Sequence, residues 1–269
     1  MPAILTYDFM VRALIGGALV GFAAPALGTF LVLRRLSLIA DTLSHVALMG
    51  IAVGLMTRTM PTLVALVATV AGAIAIELLR LRRRLPSDAA MAVFLYTALA
   101  IAIVLISLAT GFNVGLFTYL FGSVLTIGPT DLWLAAGMAV AVAVFVTTFY
   151  QELAQSSFDT DLARTTGVPV DGVSIALAAL TGVAVTLSMR IVGALLVGAL
   201  IVMPVLASLR LVSGLRASLL LAVALGVVSV LTGLVIAFYV NIAAGGAIVL
   251  TAVATLLLAE AGGWVFHRS

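Results

Sequence analysis

Arg34-Arg35-Leu36-Ser37-Leu38-Ile39-Ala40-Asp41-Thr42-Leu43-Ser44-His45 closes one apolar stretch, residues 9–33, and opens another, residues 38–56. A helix rising about 1.5 Å per residue needs about 20 apolar residues to cross a hydrocarbon core of about 30 Å, and both stretches are close to that length. Two arginines between such stretches mark a membrane face. An acid and a histidine inside the second are groups that lipid penalises, so they demand a reason for being there.

The pattern repeats along the chain at residues 62–79, 89–109, 132–149, 173–189, 191–209, 217–239 and 246–259. The reading is an all-α polytopic membrane protein of about nine transmembrane helices, with eight as the alternative. Its 269 residues form one transmembrane domain, 1–269. Composition excludes a soluble fold: 64% of residues are hydrophobic and 9% charged, against about 45–50% and 25% in ordinary soluble chains. Mean hydropathy is +1.36. All thirteen basic residues are arginine and there is no cysteine. A P-loop lysine, a Schiff-base lysine, disulfides and thiolate metal sites are therefore excluded. A net charge of +3 on so few ionisable groups gives no reason to expect a nucleic-acid partner. Residues 1–8 lead straight into the first stretch, so no separate signal peptide is expected.

Residues 114–127 are shorter, broken by Gly122, and end at Gly128-Pro129. They read as a re-entrant or interfacial segment near 114–128. Nine spans and an outside N-terminus then place Arg34, Arg35, Arg80, Arg82, Arg83, Arg84, Arg164, Arg210, Arg216 and Arg268 inside. Only Arg12, Arg58 and Arg190 fall outside, a ten-to-three bias of the expected sign. Making 114–127 a full span would invert everything after it. Gly17/Gly21 and Gly50/Gly54 give G-x-x-x-G spacings, read as helix packing within one subunit.

Most acids sit at span ends, and Glu77 and Arg80 are spaced to pair there. Asp41 and His45 differ. With unbroken helix from Arg35 they would lie about 9 and 15 Å along it, on one face, with Cβ atoms about 5–6 Å apart. Oxygen and nitrogen donors so placed can share a divalent cation such as manganese, zinc or ferrous iron. A hydrogen bond or proton relay between them is the other reading. His267 is the only other histidine, in the C-terminal tail, so a purely histidine-based site in one subunit is impossible.

Two inner loops, near 151–170 and 208–217, carry the remaining polar residues. The first holds Ser156, Ser157, Phe158, Asp159, Asp161 and Arg164; Asp159 reads as the cap of a short helix ended by Gly167-Val168-Pro169. The second holds Arg210 and Arg216 around Ser213-Gly214.

Together these segments resemble the manganese/zinc/iron-type permeases of ATP-binding-cassette importers. The most specific match is Arg34-Arg35-Leu36-Ser37-Leu38-Ile39 followed by Asp41-Thr42-Leu43-Ser44-His45. Phe158-Asp159 with Ala163 and Gly167 resembles the family's inner-loop motif. Val192-Gly193, Leu195-Leu196-Val197, Ala199-Leu200 and Pro204 resemble its late transmembrane signature, and Gly233-Leu234 with Gly245 match its C-terminal pattern. Ala40 replaces a usual glycine, and Asn241 and Ala243 stand where the family has an acid and a proline.

The resemblance implies a fold like that of the cobalamin and siderophore importer permeases, in a homodimer enclosing the pathway. It makes Asp41 and His45 metal-pathway residues. It makes Phe158, Asp159, Ala163, Gly167, Arg210 and Arg216 the docking segments for a separate ATP-binding subunit. An extracytoplasmic metal-binding protein would deliver the ion. The metal is transported cargo, no cofactor is bound permanently, and the chain is no enzyme. The setting is a prokaryotic cell membrane. The alternative is a proton-coupled secondary metal transporter working without an ATPase.

Overall fold

A backbone surrounded by lipid has no water to bond with, so each crossing segment must satisfy its own N–H and C=O groups, and helix is the outcome. The computed structural model describes residues 6–82, 86–108, 120, 122 and 127–266, apart from the side chains of Leu195 and residues 262–266. Eleven helices run through the described residues: α1 Asp8–Leu33, α2 Ile39–Met56, α3 Pro61–Leu81, α4 Ser87–Leu108, α5 Pro129–Thr148, α6 Tyr150–Phe158, α7 Thr160–Thr165, α8 Val170–Ser188, α9 Ala194–Leu211, α10 Leu215–Val240 and α11 Ala244–Phe266. Nine of them fall on the nine apolar stretches of the sequence. Eight are long and apolar enough to cross a membrane. The ninth, α9, carries the shorter apolar run Leu196–Leu211. The segment expected near 114–128 lies almost wholly outside the described residues. Of it, Gly122 has φ +72 and packs on the backbone of residues 191–193.

Helix α1 is the most enclosed, packed by α5, α9 and α10; α2 lies among α3, α4, α8 and α9. Small residues set these approaches. A Cβ on Gly21 would meet the Gly226 carbonyl oxygen at 3.0 Å, so α1 and α10 touch backbone to backbone. Gly50 and Gly54 likewise lie 2.6 Å, Cβ-equivalent to Cα, from Ala65 and Pro61 of α3. Both G-x-x-x-G pairs are thus used within one subunit, where dispersion at close range replaces the missing hydrophobic drive.

The link from α1 to α2 is a helix cap. The Arg35 N–H donates to the Val32 carbonyl and the Leu36 N–H to the Leu31 carbonyl, at 3.0 and 2.8 Å. Arg35 takes the left-handed conformation, φ 58, and Leu36 is buried. This is the two-bond termination that usually employs glycine. It corrects the depth expected for the acid and histidine: residues 35–38 are turn, and α2 starts at Ile39. Asp41 is therefore about 3 Å and His45 about 9 Å along α2, not 9 and 15 Å.

Contacts of charged side chains gather at the two ends of the bundle, while hydroxyl pairs such as Thr69 with Thr186 join helices inside it. At one end Arg190, in the turn after α8, pairs with Asp131 of α5 at 2.5 Å. At the other, Arg34 bonds serines of α6 and α8, Arg164 pairs with Asp171 and Arg210 with Glu260. This is the alternation that consecutive crossings demand.

Gly28→Ala should be strongly destabilising, because its Cβ would lie 2.1 Å from the Ile201 carbonyl oxygen of α9. The expected loss is about 2 kcal/mol or more. Gly137→Ala, with open space around it, should be neutral or stabilising by up to about 1 kcal/mol. Thermal unfolding midpoints of the two variants in one detergent check this.

Candidate metal pathway and docking surface

Asp41 lies in the first turn of α2 and His45 one turn on, both half-buried. Ala40, Thr42, Leu43 and Ser44 around them are buried. The intervening hydroxyls are absorbed by the helix: Thr42 Oγ1 donates to the Leu38 carbonyl at 3.0 Å and Ser44 Oγ to the Asp41 carbonyl at 2.7 Å. Among the described residues the Asp41 carboxylate and the His45 ring have no hydrogen-bond or ion-pair partner, and no bond joins the two.

Across from Asp41 stands Gly198 of α9. A Cβ there would lie 3.5–3.7 Å from the Asp41 N, Cα and Cβ atoms. Helix α9 therefore passes Asp41 with no side chain between them. Further along, Pro204 inside α9 has no N–H to give the Leu200 carbonyl. Among the described residues no group of three or more His, Asp or Glu could hold a metal together. Asp41 and His45 thus place two ionisable side chains on one helix face.

Residues 151–170 are largely helical, in α6 and α7. Phe158 ends α6 and is 72% exposed. Asp159 separates α6 from α7 and caps the latter, its Oδ1 accepting from the Asp161 and Leu162 N–H groups at 3.0 and 2.9 Å. Ala163 is buried, and Gly167 ends the turn at φ +86. Leu162, 61% exposed, is a second outward apolar side chain of this segment. The sequence reading gives Leu162 no docking role.

Arg210 and Arg216 are engaged within the chain. Arg210 Nε lies 2.7 Å from Glu260 Oε1, both exposed, and the Arg216 guanidinium lies 5.3 Å from the Tyr150 ring centre. A third arrangement is also absent from the sequence reading: Arg34 bonds Ser156, Ser157 and Ser174. The adjacent serines in one loop and the third near the next span's start carry that signal only in part.

A bundle of helices long and apolar enough to cross a membrane is the architecture of a multi-pass membrane protein. The chain belongs to the ABC 3 transport family, which it matches over residues 6–262. It is a transport subunit of the ATP-binding-cassette type and not an enzyme. It is 32% identical over 256 residues to the manganese transport system membrane protein MntC of Halalkalibacterium halodurans, covering 95% of this chain and 88% of the relative. It is 28% identical to the high-affinity zinc uptake system membrane protein ZnuB of Haemophilus influenzae, covering 91% and 94%. Its structure superposes on a chain of PsaBC from Streptococcus pneumoniae, solved in complex with Fab, with a TM-score of 0.84 and 30% identity over 95% of this chain and 92% of that one.

Asp159→Ala should loosen α7, speeding amide exchange over residues 160–165 about fivefold, the equivalent of about 1 kcal/mol of lost capping. Asp159→Asn keeps an acceptor of equal capping strength and should leave exchange unchanged. Hydrogen–deuterium exchange of the two variants separates capping from charge.

Proposed function

We propose that this chain is the permease of an importer for a divalent transition metal (manganese, zinc or iron), working as a homodimer by alternating access. Asp41 and His45 are the pathway ligands. The observation that carries this is their unpartnered placement on one face of α2, beside side-chain-free Gly198 of α9. A carboxylate left half-buried without a counter-ion is a standing attraction for a cation. Manganese and zinc are the metals named for the two relatives, and oxygen and nitrogen donors suit all three candidates. Facing pairs from two subunits would supply four donors, enough to replace much of a hydration shell.

The arginine distribution supports placing the α1–α2 reversal, α6, α7 and the α9–α10 link in the cytosol of a prokaryotic cell. There Phe158, Leu162 and the Asp159-capped turn form the principal docking knob for the ATP-binding subunit. Ala163 and Gly167 shape the knob from behind. Arg210 and Arg216 form a second contact whose internal partners must loosen or share. An extracytoplasmic binding protein delivers the metal at the opposite end, where Asp131 and Arg190 pair. The family makes this reading stronger than the proton-coupled alternative.

Asp41→Asn and His45→Ala should each reduce ATP-dependent metal uptake at least tenfold in liposomes holding the permease with its ATP-binding subunit, while the protein stays folded. Asp41→Asn is the sharper change, since it keeps shape and one acceptor oxygen but deletes the charge. Normal uptake in both variants would move the site elsewhere, and uptake by wild-type permease alone, driven by a proton gradient, would favour the secondary transporter.

A further inference from the structure

Beside the α1–α2 reversal lies a polar cavity of about 340 Å³ lined by Arg34, Arg35, Arg80, Ser156, Ser157 and Ser174. Its charges do not balance. Arg80 is held by Glu77 through both carboxylate oxygens, one contact being Nε to Oε2 at 2.8 Å. Arg34 bonds only hydroxyls: Nε to Ser157 at 3.2 Å, Nη1 to Ser174 at 2.8 Å and Nη2 to Ser156 at 2.5 Å. Ser156 and Ser157 give their own hydrogens to the Glu152 and Leu153 carbonyls. Their lone pairs therefore orient the guanidinium without neutralising it. Arg35 has no partner among the described residues. Three arginines line the cavity, one of them bonded to Glu77, while Asp171, itself paired with Arg164, acts on Arg80 from further off, so positive charge remains in excess. Burial pushes Arg34 down to about 10, with Glu77 opposing and Arg80 adding to the shift.

We propose that this cavity binds a phosphate-class oxyanion, offered either by a phospholipid headgroup or by free phosphate. Each guanidinium has five N–H donors in a fixed fork that matches such an oxyanion. Arg34 keeps two N–H donors beyond its three serine bonds, and Arg80 keeps those not used on Glu77. The site lies where α1 and α3 end, at headgroup depth, and a basic pocket between helix ends is the arrangement that holds anionic lipid on the cytosolic leaflet. An oxyanion there ties the ends of α1 and α3 to α6 and α8. The inference rests on this charge imbalance and not on the metal reading.

The test uses the full chain, delipidated in a neutral detergent. Sodium phosphate is titrated against sodium chloride at constant ionic strength, and short-chain phosphatidylglycerol against phosphatidylcholine. The expected result is a saturable rise in unfolding midpoint of about 3 °C in at least one arm. Its apparent Kd should weaken about tenfold in Arg35→Gln, a change at an exposed side chain. Arg34 is avoided as the first variant because its loss breaks three interhelical bonds. A rise with inorganic phosphate identifies the free anion as a ligand; a rise with phosphatidylglycerol alone identifies the headgroup. No saturable rise in either arm, or an equal rise in Arg35→Gln, overturns the proposal. So does a variant that loses only its association with the ATP-binding subunit, which would make the cavity a socket for an acidic side chain of that partner.

Discussion

The reversal between α1 and α2 sets the position of the candidate metal ligands and of the basic cavity together. Arg35 in a left-handed conformation lets Leu36 bond back to Leu31 and brings the chain round within five residues. A non-glycine residue there is strained, and the capping bonds and the burial of Leu36 hold it in place. The same turn sets Asp41 in the first turn of α2 and sends Arg34 toward the serines of α6 and α8. One local termination thus positions both Asp41 and the arginine that bonds α6 and α8, the helices on either side of α7.

Around it the bundle is held by contact more than by polarity. Gly21 of α1 and Gly226 of α10 meet each other's backbone, and Gly50 and Gly54 of α2 meet the backbone of α3, which is how helices associate where the surroundings are as apolar as their side chains. Charged pairs are kept to the ends, where water is available. Asp41 and His45 lie one turn apart on one face of α2, half-buried and without a side-chain partner among the described residues.

The apolar runs mark nine helices close to where they occur, because length and hydropathy act locally and lipid leaves a crossing chain no other conformation. The i, i+4 spacing of Asp41 and His45 is readable for the same reason, as is the Asp159 cap, whose bonds span two and three residues. Depth along α2 is not readable. It depends on Arg35 adopting a conformation that sequence preference assigns to glycine. The internal engagement of Arg210 and Arg216 is equally hidden, because Glu260 and Tyr150 are distant in sequence.

Short-range periodicity and the cost of charge in lipid are properties of the linear chain, and they settle the class of molecule, the placement of its helices and the two side chains worth testing. Company is settled by packing alone. Gly198 of α9 leaves space beside Asp41, Phe158 and Leu162 are both exposed, and Arg34 ends among hydroxyls with no acid bonded to it. Those facts join residues as many as 157 positions apart, as with Asp41 and Gly198. No local rule of spacing reaches that far; it is the docking of one helix on another that brings them together.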